Sequence, residues 1–369
     1  MLIGCPGYHA ALQNIQLSRV IISTQVVMFR SLIFAADVGR HERRPRASLV
    51  VFAMLMLFPV DADSGSDRIS SARPPVTSSI CGRGCRCSHN ATVSNCSYAN
   101  LGHVPTFSPS TRVLVLDWNH IERLGDSLGA ANSTSGAWSS SLEMLSVSHN
   151  NVSEVAATAL RGLRALRQLR LDNNRIERLP AAIFADTPSL GAMSLAGNTH
   201  LDTTSLGAAL TPTRLPLLRL LDLSKVDTIT VDGRLPEEVF SQIPALEHLV
   251  LHDLTIANMS AEFITALSGT SLATLDLTGS SIGQVNDSAF KPLADSLEQL
   301  LLDRAVICRR DLGAVFAGLA AGSNSSRLTL LSLKNVFVDD AHDAAIGQHL
   351  FRHLVTTRSP LVSTSKRVV

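Results

Sequence analysis

The sequence predicts an α/β solenoid: short parallel strands stacked into a concave sheet, closed at the amino end by a disulfide-bonded cap. Three observations predict it. A pattern L-x-x-L-x-L-x-x-N-x-L recurs in nine copies along the 369 residues. Four of the six cysteines fall in "CGRGCRCSHNATVSNC", residues 81–96, directly before the first copy. Hydrophobic residues make up 45% of the chain and aromatics only 4%, which suits repeated small layers better than a core built on large rings.

The copies begin at Thr111, Leu142, Leu166, Leu190, Leu218, Leu246, Leu272, Leu297 and Leu328. Their first, fourth and sixth positions are apolar except at Thr111, and the remaining departures from Leu are Val147 and Met193. Each copy reads as one short strand with three inward leucines. A single coil cannot bury them, so stability comes from interfaces between neighbouring coils. Asparagines at the ninth position (Asn119, Asn150, Asn174, Asn198) turn inward, where an amide can satisfy backbone groups of the adjacent coil. Phe184, Phe263, Phe290 and Phe316 follow about half a repeat later and are expected to fill the convex side. The pattern is that of a leucine-rich-repeat horseshoe.

The copies are uneven, starting 24 to 31 residues apart, with irregular excursions at 125–141 and 227–244. From Val226 onward the ninth-position asparagine gives way to Val226, Leu254, Ser280, Ala305 and Val336. The second half is therefore expected to be less regular. The organisation expected is an upstream extension with signal peptide at 1–62, a linker at 63–80, the cysteine cap at 81–108, repeats at 109–339, and a tail at 340–369 with no carboxy-terminal cysteine cap.

Compartment comes from the segment before the cap. Arg40, Arg43, Arg44 and Arg46 precede an apolar run from Leu49 to Phe58, and Val60 and Ala62 stand at −3 and −1 of a small-residue cleavage site. The run is shorter than the roughly 20 residues a membrane span needs. Residues 1–39 lie ahead of it, which indicates a long pre-sequence or a start at Met28. Seven N-x-[ST] sequons, at Asn90, Asn95, Asn132, Asn151, Asn258, Asn286 and Asn324, favour the same secretory route. Asn95 is the weakest, because Cys96 is its middle residue. The expected product is a secreted glycoprotein.

The C-x3-C-x-C-x8-C spacing, followed by "YANLGHVPTFSPSTRVLVLDWNHI", resembles the amino-terminal cysteine cap of extracellular leucine-rich-repeat proteins. Four cysteines allow three connectivities. The resemblance implies Cys81 with Cys87 and Cys85 with Cys96. A zinc site would need a reducing compartment, against the signal segment. Cys308 is left over as a buried thiol or a partner for another chain, and Cys5 lies upstream of the cleavage site.

Alternate strand residues face the concave side. The candidate ligand-binding residues there are Arg170, Asp172, Asp222, His248, His252 and Asp276. Charge reversal at Arg170 or Asp222 is expected to weaken binding without unfolding the solenoid. Nine strands at about 4.8 Å spacing make an arc of roughly 40 Å, the scale of a protein or extended polymer. No sequon falls on the strand positions of the nine copies, so a glycan-free concave face is expected, although strands disfavour Asn in any case. His248 and His252 point the same way and could form a cationic patch on acidification; solvated surface histidines are the plainer reading. Trp118 and His149, at the eighth position, are rim candidates for a contact or for ordinary packing.

Some functions are disfavoured. A net charge of +1, with acidic residues outnumbering basic ones on the concave face, argues against naked nucleic acid at neutral pH. Two Trp and two Tyr argue against an aromatic-rich carbohydrate or base-stacking surface. No nucleophile elbow, phosphate loop or HExxH metal motif occurs. No enzymatic activity, metal or cofactor is expected.

The uneven repeats, excursions and sequons resemble a Toll-like receptor ectodomain. That resemblance implies recognition of microbial or endogenous ligands in innate immunity, with dimerisation on binding. The family continues into a carboxy-terminal cysteine cap, a membrane helix and a signalling domain, none of which follows Val338 here, so a truncated ectodomain or a soluble form is expected. The alternative resembles the small matrix proteoglycans. Ser64-Gly65, flanked by Asp61, Asp63 and Asp67, is similar to a glycosaminoglycan attachment site, and an acidic linker accounts for it equally well.

Overall fold

A computed structural model of the chain describes residues 84–125 apart from 89 and 106, 141–307 apart from 212 and 231–233, 314–315, 327–333, 336–338 and 361–363. The expected signal segment, Ser64-Gly65, Cys81, Cys308, Phe316 and the sequons at Asn132 and Asn324 lie outside the described residues. The chain divides into two compact units, Met1–Ala72 and Arg73–Val369, and every described element belongs to the second.

The second unit is a leucine-rich-repeat solenoid. Its main sheet has twelve strands, beginning with Arg86–Cys87 and Val93–Asn95 of the cap. Nine follow from the repeats: Val113–Val115, Met144–Ser146, Gln168–Arg170, Ala192–Ser194, Leu220–Asp222, His248–Val250, Thr274–Asp276, Gln299–Leu301 and Leu330–Ser332. The two cap strands pair antiparallel, with Arg86 opposite Asn95. All later pairings in this sheet are parallel and keep one register, with Val115 opposite Ser146, Ser146 opposite Arg170 and Arg170 opposite Ser194. The twelfth strand, Leu361–Ser363, pairs with Leu330–Ser332, so the sheet extends past residue 339, where the sequence pattern ends.

Each strand is only three residues long because both ends are committed. Leucines at the first, fourth and sixth positions point into the coil, so Leu142, Leu145 and Val147 are all buried, as are Leu166, Leu169 and Leu171. Full burial of one such side chain contributes about 1.5–3 kcal/mol. The eighth residue then takes a left-handed backbone that turns the chain out of the sheet. Positive φ recurs there at Tyr98, Trp118, His149, Asn173, Gly197, Lys225, Asp253, Gly279 and Arg304. At Gly279 φ is +75°, and a Cβ would lie 2.2 Å from Asp253 Oδ1, so that side chain would have to move.

The ninth-position asparagines join successive coils. Asn174 Nδ2 donates to the carbonyls of Val147 (2.9 Å), Leu171 (3.0 Å) and Asp172 (3.2 Å), while its Oδ1 accepts from Val152 N–H (3.0 Å). Asn150 does the same for Leu116, Val147, Ser148 and Ile121. Asn119 ties the cap to the first repeat through Cys96 O and Leu101 N–H. Without these amides, buried donors and acceptors at every turn would be left unpaired.

Beyond Asn198 the structure corrects the expectation of lost regularity. A second parallel sheet forms from Thr255–Met259, Ser281–Val285, Val306–Ile307 and Phe337–Val338. Backbone-to-backbone pairing thus becomes continuous from Thr255 on, two coils past the last ladder asparagine, Asn198. Ser280 keeps a reduced version of the ladder, donating to Leu251 O (2.9 Å) and accepting from Leu254 N–H (3.1 Å). The convex side carries short helices: Thr203–Ala209, capped by Asp202 on the N–H groups of Thr204 and Ser205, then Glu237–Phe240 and Ala261–Thr265. Phe184, Phe263 and Phe290 are buried in it. Phe240 joins them from the 227–244 excursion, which therefore adds a helix to the wall.

Replacing Asn174 by Ala is expected to destabilise the solenoid by roughly 1–3 kcal/mol, since it strands buried backbone groups on two coils. Arg175→Ala, one residue later and exposed, is the control and is expected to change stability by less than about 0.5 kcal/mol. Chemical denaturation of the two variants with unchanged m-values checks this.

Candidate ligand-binding face

Strand alternation and fixed register set the concave residues in columns, one residue per coil. Asp and Ser recur in these columns, and neighbouring coils bring them together. Asp117 Oδ1 accepts from Ser146 Oγ (2.6 Å) and Ser148 N–H (2.9 Å). Ser148 Oγ donates to Asp172 Oδ2 (2.8 Å), which also receives Arg170 through Nε (3.1 Å) and Nη2 (2.9 Å). Asp222 takes Ser194 Oγ (3.1 Å) on one oxygen and Ser224 Oγ (2.6 Å) and N–H (3.0 Å) on the other. Farther along, Ser332 Oγ donates to Asp303 Oδ1 (2.6 Å).

These contacts place the six candidates in two groups. Asp172, His248 and Asp276 are only 6%, 6% and 4% exposed, because small side chains let adjacent coils close over them. Arg170, Asp222 and His252 are half-buried and keep surface to offer. Asp222 accepts from Ser194 and Ser224, so charge reversal there would also deprive those two hydroxyls of their acceptor. Arg170 is the candidate that combines a fixed geometry with an accessible group, its side chain being 36% exposed.

Burial raises the carboxyl pKa of Asp222 above the ordinary value, outweighing the hydrogen bonds from Ser224 and Ser194. Burial likewise raises Asp117, against the bonds from Ser146 and Ser148. The two histidines behave oppositely. His248 is pushed down by burial, with Glu247 only partly offsetting it. His252 is also penalised by burial, but the hydrogen bond and charge of Asp276, with Asp222 and Asp253 behind it, hold its pKa above the usual imidazole value. His252 Nε2 lies 2.9 Å from Asp276 Oδ2. The pair is therefore neither two solvated surface histidines nor a uniform cationic patch.

At the amino end Cys85 is bonded to Cys96, and Cys96 is fully buried against the first coil. Cys87 is also disulfide-bonded; the partner that the resemblance implies, Cys81, is outside the described residues. The sequons divide by location. Asn90 is exposed in the cap turn, Asn151 is half-buried just past the asparagine ladder, Asn258 is exposed on the strand Thr255–Met259, and Asn286 is exposed just beyond the strand Ser281–Val285. Asn95 departs from the expectation of a sheet free of sequons. It sits in the main sheet opposite Val115, with its Oδ1 accepting from Ser97 N–H (2.9 Å). The reason is that the cap contributes a strand of its own, outside the nine copies.

One cluster was not anticipated. Tyr98, Trp118 and His149 stack along the rim, with ring centroids 5.7 Å apart for Tyr98 and Trp118 and 3.8 Å for Trp118 and His149. Aligning "NCSYAN" with "VLDWNH" puts Tyr98 at the same eighth position as Trp118, and that signal lies in the sequence. An open cleft of about 440 Å³ is lined by Tyr98, Asn100, Trp118, Asn119, His120 and His149. Among the described residues no helix is long and apolar enough to cross a membrane, and no cluster of three or more His, Cys, Asp or Glu could hold a metal ion.

Comparison with known proteins agrees with this architecture. The leucine rich repeat family matches residues 140–201. The chain is 27% identical to Tsukushi of Gallus gallus over 230 residues, 59% of this chain and 57% of that protein. It is also 27% identical to leucine-rich repeats and immunoglobulin-like domains protein 3 of Homo sapiens over 179 residues, 48% of this chain and 14% of that one. The chain thus spans only part of the length of both curated relatives. Among solved structures, human 5T4 (Wnt-activated inhibitory factor 1, trophoblast glycoprotein) superposes with a TM-score of 0.53 at 25% identity, covering 68% of this chain and 91% of that one. Mouse RP105, solved with MD-1, shares the fold with a TM-score of 0.54 at 16% identity, covering 76% and 42%.

The histidine environments set a pH dependence with opposite signs. His252 binds its proton more tightly folded than unfolded, so its stabilising contribution is complete below the unfolded pKa and is lost as pH rises through the folded one. His248 binds its proton less tightly folded, so it penalises the fold as pH falls below the unfolded value. His252→Gln is expected to lose more stability relative to wild type at about pH 5.5 than at about pH 8, and His248→Gln to gain relative to wild type at the lower pH. Denaturation midpoints at the two pH values check both signs.

Proposed function

We propose that this chain is a non-enzymatic extracellular binding module that holds a protein or other extended ligand against its concave sheet. The observation that carries the reading is the face itself: a twelve-stranded sheet, parallel and in one register from its second strand on, with Arg170, Asp222 and His252 held by hydrogen bonds or ion pairs before any ligand arrives. Groups fixed in advance lose little freedom on binding, so their contacts convert efficiently into affinity. Eleven intervals of about 4.8 Å give an arc of roughly 50 Å, too long for a metabolite. A disulfide at Cys85–Cys96 belongs in an oxidising compartment, and 5T4 carries the word glycoprotein in its name.

At a finer level, the proposed role is that of a Toll-like receptor ectodomain or a soluble fragment of one, in innate immunity, with Cys81 bonded to Cys87 in its cap. The uneven repeats and the 227–244 excursion support it, and RP105, a solenoid of the same fold, is held in a complex with MD-1. A matrix proteoglycan role is the second reading, favoured by the acidic setting of Ser64-Gly65. A diffuse high-mass band that collapses with chondroitinase would favour the second reading over the first.

Occupied sequons are proposed at Asn90, Asn151, Asn258 and Asn286. Asn95 is proposed to stay bare, because its strand is paired on both sides and the Ser97 hydroxyl is buried. Secretion from cultured cells followed by glycopeptide mapping is expected to show this pattern. Screening the secreted protein against a panel of extracellular domains is expected to yield a partner whose affinity falls about tenfold, or 1.4 kcal/mol, in Arg170→Ala. Lys291→Ala, on the opposite wall, is expected to leave it unchanged. Equal losses in both variants, or none in either, would count against concave binding.

A further inference from the structure

The aromatic stack on the rim is expensive where it stands. Tyr98, Trp118 and His149 occupy left-handed backbone positions, with φ of 58°, 59° and 54°. A left-handed conformation disfavours residues that carry a Cβ; in other coils the same column holds Asn173, Gly197 and Gly279, and also the polar Lys225, Asp253 and Arg304, but no aromatic ring. Tyr98 and Trp118 remain 71% and 49% exposed. Composition alone argues against an aromatic surface, yet half of the chain's Tyr and Trp residues meet here with a histidine. Large rings gathered at the surface beside an open cleft mark a contact site.

The register names the occupant. The residues two places past the stacked rings form the next column: Asn100 after Tyr98, His120 after Trp118 and Asn151 after His149. Asn100 and His120 line the cleft. Asn151 N–H donates to Ile121 O (3.0 Å), which sets it beside His120 on the adjoining rung. Asn151-Val152-Ser153 is a sequon with an exposed serine. We propose that the Tyr98–Trp118–His149 stack is the seat of the first N-acetylglucosamine of a glycan carried by Asn151.

The chemistry fits both partners. Tyr98 and His149 flank the two faces of Trp118, so the C–H side of that sugar packs along the exposed edges of the rings, while its acetamide and hydroxyls need polar partners beside them. Asn100 and His120 supply donors and acceptors there. The sugar is tethered two residues from His149, so it meets the rings at a high effective concentration.

The inference rests on the extracellular reading above, and the test separates the two. The protein is secreted from mammalian cells as Trp138→Phe, which leaves Trp118 as the only tryptophan. Acrylamide quenching of Trp118 is measured on the intact glycoprotein, after endoglycosidase trimming to the single Asn-linked sugar, and after complete removal by peptide N-glycosidase. Since Trp118 is 49% exposed without a glycan, a sugar covering half of that surface lowers the quenching constant about two-fold. Protection is expected to survive trimming and to vanish on complete removal. Ser153→Ala in the same background is expected to match the fully deglycosylated protein. Equal quenching with and without the sugar overturns the proposal and leaves the cleft open for another partner. An empty Asn151 beside occupied Asn90, Asn258 or Asn286 overturns it too, with the extracellular reading intact. If the chain is retained in the cell with every sequon empty, both fall.

Discussion

Every coil of this solenoid must leave its strand through a turn whose backbone groups are shut away from water, and those groups have to find partners on the next coil. That requirement shapes the rest of the molecule. In the first half it is met by side chains: one asparagine per coil donates to carbonyls of its own and the preceding strand and accepts an N–H in return. The amide is short and carries both donors and acceptor, which no carboxylate or hydroxyl can match. In the second half, with Val, Leu or Ala at the same position in most coils, parallel backbone pairing just past the turn runs through four coils from Thr255 on, whereas in the first half it is limited to a two-stranded sheet of Arg123–Leu124 and Glu154–Val155. Ser280 stands between the two solutions, with one hydroxyl doing part of the amide's work.

Because neighbouring coils are locked in this way, the main sheet cannot slip, and its concave columns become a scaffold for polar chemistry. The Ser–Asp contacts that run along it join residues 24 to 31 apart in the chain. They hold carboxylates in place and bury several of them. The same closeness splits the histidines of one strand into an imidazole that resists protonation and one that favours it. A surface of this kind suits recognition of an extended partner, where prearranged charge gives specificity.

The rim follows the same logic. The left-handed turn that ends each strand projects its eighth residue outward, so whatever residue type occupies that position is displayed once per coil. Asn or Gly makes the rim unobtrusive. Three rings in a row make it a feature, and the pitch of the coils stacks them.

The sequence by itself determined the solenoid, its coil boundaries, its inward leucines and the asparagine ladder, because all of these are written in a local pattern of eleven residues that repeats. It also marked the cap, since cysteine spacing is local as well. What lay beyond it were relations between coils. The second sheet was hidden because Ile or Val stands at the eleventh position in both halves, at Ile121, Val152 and Ile176 as at Ile256, Ile282 and Ile307. The burial of Asp172, His248 and Asp276, the cap strand that carries Asn95, and the meeting of Tyr98 with Trp118 all depend on which residues of separate coils fall side by side. Tertiary structure decided these, because coils of unequal length come into register only when their backbones pair.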